Sequence, residues 1–192
     1  MNDVKIGWKN EVRYLGIYIL SGMRFKINIQ PAKQKMFRAA NGILGKIACT
    51  KNPSLCLSLL NSFCTPILLY GLEALNLNKA TRESLEFVFN CLFVKIFNIK
   101  DKEALSLCQW YMGYLPVSCV LDLKMINFHN DILCNKSDSL MFIIDKLAPS
   151  AELGLIIQKY SPTNWQSFLN VSHRVRKTFM FDLLKDKLNI TD

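Results

Sequence analysis

The chain has 192 residues, of which 51% are hydrophobic and 20% are charged. This length suits one ordinary domain, and the hydrophobic share excludes an intrinsically disordered chain. The formal net charge is +9, and Lys and Arg outnumber Asp and Glu by nine to two within residues 1–50. Such a local positive field favours a polyanionic partner such as nucleic acid, although a solvated Lys-rich surface would leave the same pattern.

The seven cysteines lack the spacing of a metal site, since no two are separated by two to four residues and His129 and His173 lie far apart. Zinc ligands pair at short spacing because each pair shares one turn of chain. We therefore interpret the cysteines as small buried hydrophobic side chains in a reducing compartment.

Residues 1–15 carry charges throughout and lack the apolar segment of a signal peptide. An intracellular protein, nuclear or cytoplasmic and not secreted, is expected.

Two short β-rich runs open the chain, at residues 4–8 and 12–20. Their Val, Ile, Tyr and Trp residues favour strands, and the polar residues 9–11 between them are typical of a tight turn. The pattern predicts a β-hairpin that turns at residues 9–11. Gly16 would then lie inside the second strand, where a glycine is expected if another backbone or a ligand comes close.

The hydrophobic period changes after residue 29, and Pro31 is well placed as the first residue of a helix. An apolar stripe at helical spacing consists of Met36, Ala40, Ile43 and Ile47. A second stripe, turned away from the first, consists of Lys35, Arg38, Gly42 and Lys46. The helix would pack its apolar face against a core. Its other face, which is basic and includes the small residue Gly42, would lie against a duplex backbone. An ordinary amphipathic surface helix is the alternative.

Helical patterns continue along the rest of the chain. Pro53 predicts a helix start, and Pro66 predicts a kink or a break. Thr81 is expected to begin a helix over 82–97, and Asp101 is expected to cap a short one after it. Further helices are predicted at 117–134, 138–147, 151–159 and 164–188.

Residues 52–72 contain no charge and are numerous enough to cross a bilayer. Their two prolines and several polar residues favour a buried soluble helix instead, so no membrane association is expected.

The predicted fold is mainly α, with a short N-terminal β-hairpin followed by a helical bundle. We divide it into a hairpin at 1–29, a helical region at 30–100 and a helical C-terminal extension at 101–192.

The sequence contains no recognisable catalytic constellation. It has no adjacent Asp pair for two-metal catalysis, no Gly-x-Ser-x-Gly, no phosphate-binding Gly-Lys-Ser/Thr loop and no His-Glu-x-x-His. Neither independent catalysis nor a cofactor is therefore predicted. The mixture of basic and aromatic residues near the N-terminus suits nucleic-acid contact without sequence readout, with Phe37 and Tyr14 expected in the core. A second basic cluster, at 173–177, is interpreted as an exposed helix face.

Four segments carry a family resemblance: Arg13-Tyr14-Leu15-Gly16-Ile17, Phe25-Lys26-Ile27, Ile43-Leu44-Gly45-Lys46 and Pro66-Ile67-Leu68-Leu69-Tyr70-Gly71-Leu72-Glu73. In this order and spacing they resemble the region after the catalytic palm of reverse transcriptases from non-LTR (LINE-type) retrotransposons. The first segment resembles the primer grip, a hairpin that ends the palm. The last resembles a helix of the thumb and its neighbourhood. The likeness is fairly specific over residues 4–75 and looser beyond residue 100, where it rests on Gly113-Tyr114-Leu115-Pro116.

The resemblance implies a palm remnant followed by a thumb-like helical region, which together bind a template–primer duplex of RNA/DNA or DNA. The hairpin would touch the primer terminus, and the first helix would face phosphates. The candidate nucleic-acid-binding residues are Tyr14, Leu15, Gly16, Arg24, Lys26, Lys35, Arg38 and Lys46. The family's catalytic aspartates, in an aromatic-x-Asp-Asp turn, are absent here, and Mg²⁺ is expected only in the palm. The chain would therefore need the palm and fingers of a parent polymerase as partners and should not polymerise DNA alone.

Two hypotheses follow. The first is a C-terminal fragment of such an RNA-directed DNA polymerase that binds duplex without catalysing synthesis. The alternative is a non-catalytic helical protein–protein interaction module derived from such an element. The second hypothesis predicts an exposed apolar patch and self-association through it.

Overall fold

The structure, a computed structural model, describes residues 7–23, 26–47, 52–75, 77–134, 151–160 and 171–190. It is mainly helical, with a small antiparallel sheet at the N-terminal end. The predicted fold class is therefore confirmed. The helix predicted at 138–147 and the first part of the one predicted at 164–188 lie outside the described residues, as does Arg24.

The sheet has three strands, β1 (Glu11–Tyr14), β2 (Ile17–Leu20) and β3 (Lys26–Asn28), in the order β1-β2-β3. The predicted turn at residues 9–11 is wrong, because the hairpin turns at Leu15 and Gly16, with Tyr14 opposite Ile17. Both turn residues have positive φ angles, 46° and 87°. A two-residue turn of this kind matches the natural twist of two paired strands, and this pairing divides the run 12–20 into two strands.

Helix α1 (Gln30–Ile47) follows the sheet, and helix α2 (Pro53–Leu69) begins where Pro53 predicts it. The Asn52 side chain caps α2 by accepting a hydrogen bond from the backbone N–H of Leu55 at 3.2 Å. The predicted interruption at Pro66 is not a break, since α2 continues to Leu69. An interior proline costs a helix about 3 kcal/mol, but the leucines and cysteines along α2 bury one whole face of it. Burial of that face outweighs the cost of the proline.

A short 3₁₀ turn (Leu72–Ala74) leads to α3 (Lys79–Phe97), α4 (Lys102–Tyr111) and α5 (Val117–Cys134). The predicted start of α3 at Thr81 is three residues late, because the Asn78 side chain accepts a hydrogen bond from the Thr81 N–H at 2.8 Å. The predicted Asp101 cap of α4 is confirmed, with a 2.7 Å bond from the Ala104 N–H. Helix α4 extends a turn further than predicted.

Helices α6 (Ala151–Tyr160) and α7 (His173–Lys187) complete the described chain. The buried hydrophobic residues form two clusters. One joins α1, α2 and α3 and includes Leu121 of α5; the other joins α5, α6 and α7 and includes Ile126 of α5. Helix α5 thus holds both clusters together. Among the described helices, none has the length and apolar character that crossing a bilayer requires.

Candidate nucleic-acid interface

The basic stripe of α1 lies on the surface, as the sequence predicts. Lys35, Arg38 and Lys46 are exposed, while Met36 and Ala40 on the other face are 0% and 1% exposed. A helix with this division packs its apolar stripe into the core and directs its polar stripe to solvent. The three cations therefore share one open face of α1, together with Gly42.

The cations of this stripe have no carboxylate partner within the described residues, where the ion pairs all involve α3, α5, α6 or the 3₁₀ turn. Two other lysines near α1 are used internally. Lys33 of α1 donates to the Ser84 hydroxyl of α3, and Lys95 of α3 donates to Asn41 Oδ1 at 2.9 Å. Lys33 and Lys95 thus link α1 to α3, whereas Lys35 and Lys46 on the outer face of α1 remain exposed.

The hairpin turn is also exposed. Tyr14 is 63% exposed and Leu15 is 71% exposed, so the expectation that Tyr14 lies in the core is wrong. Its strand, β1, is an edge strand of the sheet, and its four residues are all exposed. Phe37, by contrast, is partly buried and packs against the first core cluster, as expected.

A groove lies between the hairpin turn, the beginning of α1 and the end of α2, with a volume of about 490 Å³. Leu15 and Gly16 line it from the turn, Lys35 lines it from α1, and Pro66 and Tyr70 line it from α2. Two adjacent candidate binding residues, Leu15 and Gly16, therefore line the same groove as a third from another element, Lys35. Lys35 is the charged residue of its lining.

The other candidate residues that the structure describes do not line this groove. Lys26 is exposed at the start of β3, opposite Leu20, and Tyr14 is on the edge strand β1. Arg38 and Lys46 extend the basic stripe along α1, with Lys46 about 16 Å from Lys35 along the helix axis. The basic stripe thus begins at the groove, whereas Tyr14 and Lys26 belong to neither.

Tyr70 is the residue of this region that the sequence analysis did not select. It is 62% exposed, and a Cβ on Gly16 would lie 3.5 Å from its Cε1 atom. The sequence carries only a local signal, the Gly71 that follows Tyr70, because glycine is common just past the end of a helix; it does not indicate that Tyr70 lies near Gly16. An aromatic face beside a basic groove can stack on a base or a sugar.

A buried polar cluster is centred on Asp122 of α5. Its Oδ1 accepts from Arg82 Nη1 at 2.6 Å, and its Oδ2 accepts from Lys159 Nζ and from Tyr160 Oη, both at 2.8 Å. Burial, together with Cys119 and Asp122, raises the pKa of the Tyr160 hydroxyl well above its ordinary value. Asp122 is 1% exposed, so no substrate can reach it. The cluster joins α3, α5 and α6 and has a structural role.

The basic cluster at 173–177 is not a uniformly exposed helix face. Arg176 is 4% exposed, and its guanidinium donates to the Val171 carbonyl at 2.9 Å and to Asn127 Oδ1 of α5. The prediction is therefore wrong for Arg176, which serves to fix the start of α7 against α5. Its neighbours Arg174 and Lys177 are exposed, as predicted.

No group of three or more His, Cys, Asp or Glu side chains able to hold a metal ion occurs within the residues that the structure describes. Cys56, Cys64 and Cys119 are buried free thiols, and burial raises the pKa of the Cys64 and Cys119 thiols. The Cys64 and Cys119 thiols stay protonated at neutral pH and behave as small hydrophobic side chains.

Neither protein-family models, nor curated proteins, nor solved structures provide a match to this chain. The resemblance to non-LTR reverse transcriptases therefore rests on the four sequence segments and stays a prediction. The geometry adds one relationship: the first and last segments are in contact, through Gly16 with Tyr70 and through Ile17 with Gly71.

Proposed function

We propose that this chain is the C-terminal part of a non-LTR RNA-directed DNA polymerase and that it binds a template–primer duplex without reading its sequence. The observation that carries the proposal is that Lys35, at one end of the α1 basic stripe, lines the same groove as Leu15 and Gly16 of the hairpin turn. In the resembled family, phosphate contacts and primer contacts belong to adjacent surfaces. The shared groove supports that arrangement here.

The charge distribution favours a long polyanion over a small anion. Lys35 and Lys46 are about 16 Å apart along α1, whereas successive phosphates of one duplex strand are about 3.4 Å apart along the axis. One face of α1 can therefore contact several phosphates of the same strand. Gly42, between them, has nothing within 4 Å of where a Cβ would be, which leaves room for a backbone to come close.

Synthesis itself is assigned to other parts of the parent polymerase. The carboxylates that hold Mg²⁺ would belong to its palm, and this chain would contribute binding and primer positioning. Lys and Arg contacts to phosphates fix the register of a duplex without specifying its sequence. The proposed activity of the isolated chain is therefore duplex binding alone.

Fluorescence anisotropy with a labelled RNA/DNA hybrid tests this proposal. We expect the double variant Lys35→Glu with Arg38→Glu to bind the hybrid at least tenfold more weakly than the natural chain, because two phosphate contacts become repulsive. The matched control is Lys100→Glu with Lys102→Glu, which makes the same charge change at two exposed lysines near the start of α4. Equal losses in both double variants would mean that net charge alone drives binding and would contradict the proposed interface.

A second candidate function is the protein–protein interaction module, which the exposure of the hairpin favours. Trp8 is 88% exposed, and Val12 and Leu15 are 52% and 71% exposed. Isolated exposed apolar side chains are common, but Val12 and Leu15 both lie on the hairpin, and Trp8 lies just before it. Hybrid binding that weakens steeply as salt rises would favour the polymerase fragment. Self-association without any hybrid binding would favour the interaction module.

A further inference from the structure

The outer edge of the sheet has unsatisfied hydrogen-bonding groups. Strand β1 pairs with β2 on one side, and within the described residues no strand pairs with its other side. An exposed strand edge is a template for pairing with another chain, and proteins protect such edges with short strands, charged side chains, prolines or bulges. Residues 11–14 of β1 contain no proline and no bulge, and their two charges, on Glu11 and Arg13, are of opposite sign.

The hairpin geometry determines which backbone groups are free. In an antiparallel pair, residues that exchange both hydrogen bonds alternate with residues that exchange none. The Ser21 N–H donates to the Asn10 carbonyl at 2.8 Å, so the pair of residues 10 and 21 is hydrogen-bonded. By alternation, Val12 and Tyr14 also bond to β2, whereas the N–H and C=O groups of Glu11 and Arg13 point to the open edge.

Because Glu11 and Arg13 supply the outward groups, an identical strand arriving antiparallel can pair through these residues in three registers. One register places Glu11 opposite Glu11 of the second copy, and another places Arg13 opposite Arg13. Like charges directly opposite each other are destabilising in a sheet. The third register places Glu11 of each copy opposite Arg13 of the other copy. Both outward-facing residues of each β1 strand are then paired with residues of the other β1 strand.

We propose that β1 is the pairing edge for a second copy of this chain, in the antiparallel register centred on Val12, with Glu11 opposite Arg13 of the second copy. Two three-stranded sheets join into one continuous sheet of six strands, with four backbone hydrogen bonds across the junction. Val12 lies opposite its own counterpart at a non-hydrogen-bonded position, where side chains come closest. The inference does not depend on the proposed nucleic-acid function.

Both charged side chains are available for this pairing. Glu11 accepts a hydrogen bond from Asn28 Nδ2 with one carboxylate oxygen, Oε1, at 2.9 Å, so its second oxygen remains open. Arg13 lies over the Tyr18 ring, with Cζ 5.8 Å from the ring centroid, and this contact leaves its guanidinium N–H groups free to donate. The two side chains are on the same face of the sheet, because they are two residues apart on one strand.

A charge-exchange experiment tests the register directly. Glu11→Lys places Lys opposite Arg13, and Arg13→Glu places Glu opposite Glu11, so each single variant should raise the dimer dissociation constant about tenfold. A mixture of the two single variants restores opposite charges at both positions and should form heterodimers. The double variant Glu11→Lys with Arg13→Glu should dimerise like the natural chain, which also shows that the substitutions leave the fold intact.

Sedimentation equilibrium of the natural chain, each variant and the mixture gives the readout. A natural chain that stays monomeric at its highest soluble concentration would overturn the proposal, as would a mixture that associates no better than its components. Crosslinking gives the register independently: Val12→Cys should form an intermolecular disulfide under mild oxidation, since paired Cβ atoms at a disulfide lie about 3.8 Å apart. Arg13→Cys should not form one, because its partner is residue 11.

Discussion

Ile17 packs directly against the backbone of Gly71: a Cβ at position 71 would lie 2.7 Å from Ile17 Cδ1. Gly71 also has φ +69°, a conformation that side chains of L-residues seldom adopt. Two properties of glycine, its freedom of φ and its lack of a side chain, are therefore both used at one position. The contact seats the hairpin on the end of α2 and forms one wall of the groove.

Replacing Gly71 by alanine should destabilise the chain by about 1–2 kcal/mol, since the left-handed conformation costs an L-residue that much. Ile17 can move its terminal methyl group, so the close contact adds a smaller cost. Urea denaturation followed by circular dichroism measures the change. Gly154→Ala is the matched control: Gly154 is exposed within α6 with open space around it, and alanine there should stabilise by about 0.5–1 kcal/mol. Equal effects at the two positions would contradict this account of Gly71.

Leu15 has φ 46°, which is unfavourable for leucine and favourable for asparagine. We expect Leu15→Asn to stabilise the chain by about 1 kcal/mol and to weaken hybrid binding, because the proposed primer contact loses its apolar side chain. Thermal denaturation and anisotropy measure the two effects separately. Leu155→Asn, at another exposed leucine, should leave hybrid binding unchanged. A Leu15 variant that gains stability and keeps full affinity would remove the turn from the proposed interface.

The salt dependence of hybrid binding should report the individual phosphate contacts. Each lost contact reduces the slope of log K against log salt by about 0.9. We therefore expect Lys35→Gln, Arg38→Gln and Lys46→Gln each to flatten the slope by about that amount. Lys79→Gln, at an exposed lysine of α3, should not change the slope. An unchanged slope in all three stripe variants would show that α1 does not touch the duplex.

Alkaline pH should weaken the fold through Tyr160. Burial, with Cys119 and Asp122 beside it, raises the pKa of its hydroxyl far above the ordinary value of 10.0. The folded chain keeps a proton that the unfolded chain releases, so the stabilisation is complete below pH 10 and is lost as the pH rises beyond it. The loss approaches about 1.4 kcal/mol per pH unit.

Tyr160→Phe isolates this contribution. The variant should lose about 2 kcal/mol at neutral pH, because a hydrogen bond to the charged Asp122 is removed. Above pH 10 its free energy of unfolding should fall less steeply than that of the natural chain. Tyr111→Phe, at a tyrosine that is 70% exposed, should retain the natural profile. Parallel curves for Tyr160→Phe and the natural chain would contradict the assigned pKa direction.

Local signals predicted the local structure well. The Asp101 cap, the Pro53 start and the exposed basic stripe of α1 each depend on residues within one or two turns of chain. The hairpin turn was misplaced because Leu15-Gly16 lacks the asparagine or aspartate that usually marks such a turn. The break that Pro66 could have caused does not occur, because the effect of an interior proline depends on how much surface the whole of α2 buries.

Contacts between distant parts of the chain could not be predicted from the sequence alone. Asp122 is one of two acids in the largely apolar helix α5, and its partners Arg82 and Lys159 are 40 and 37 residues away. Many pairings of scattered charges fit one sequence, and the packing of the helices selects among them. Tyr70 was missed for the same reason, since its nearness to Gly16 depends on how the hairpin sits on α2.

The seating of Ile17 on Gly71 has a consequence for the order of folding during synthesis. Roughly fifty residues separate the two, and a ribosome that adds about 5–20 residues per second needs several seconds to supply them. During that interval the hairpin has no surface to rest on, and an isolated two-stranded hairpin is only marginally stable in water. The hairpin therefore leaves the ribosome seconds before it can reach its native position, and until then its β-edge is exposed to neighbouring chains on the same message.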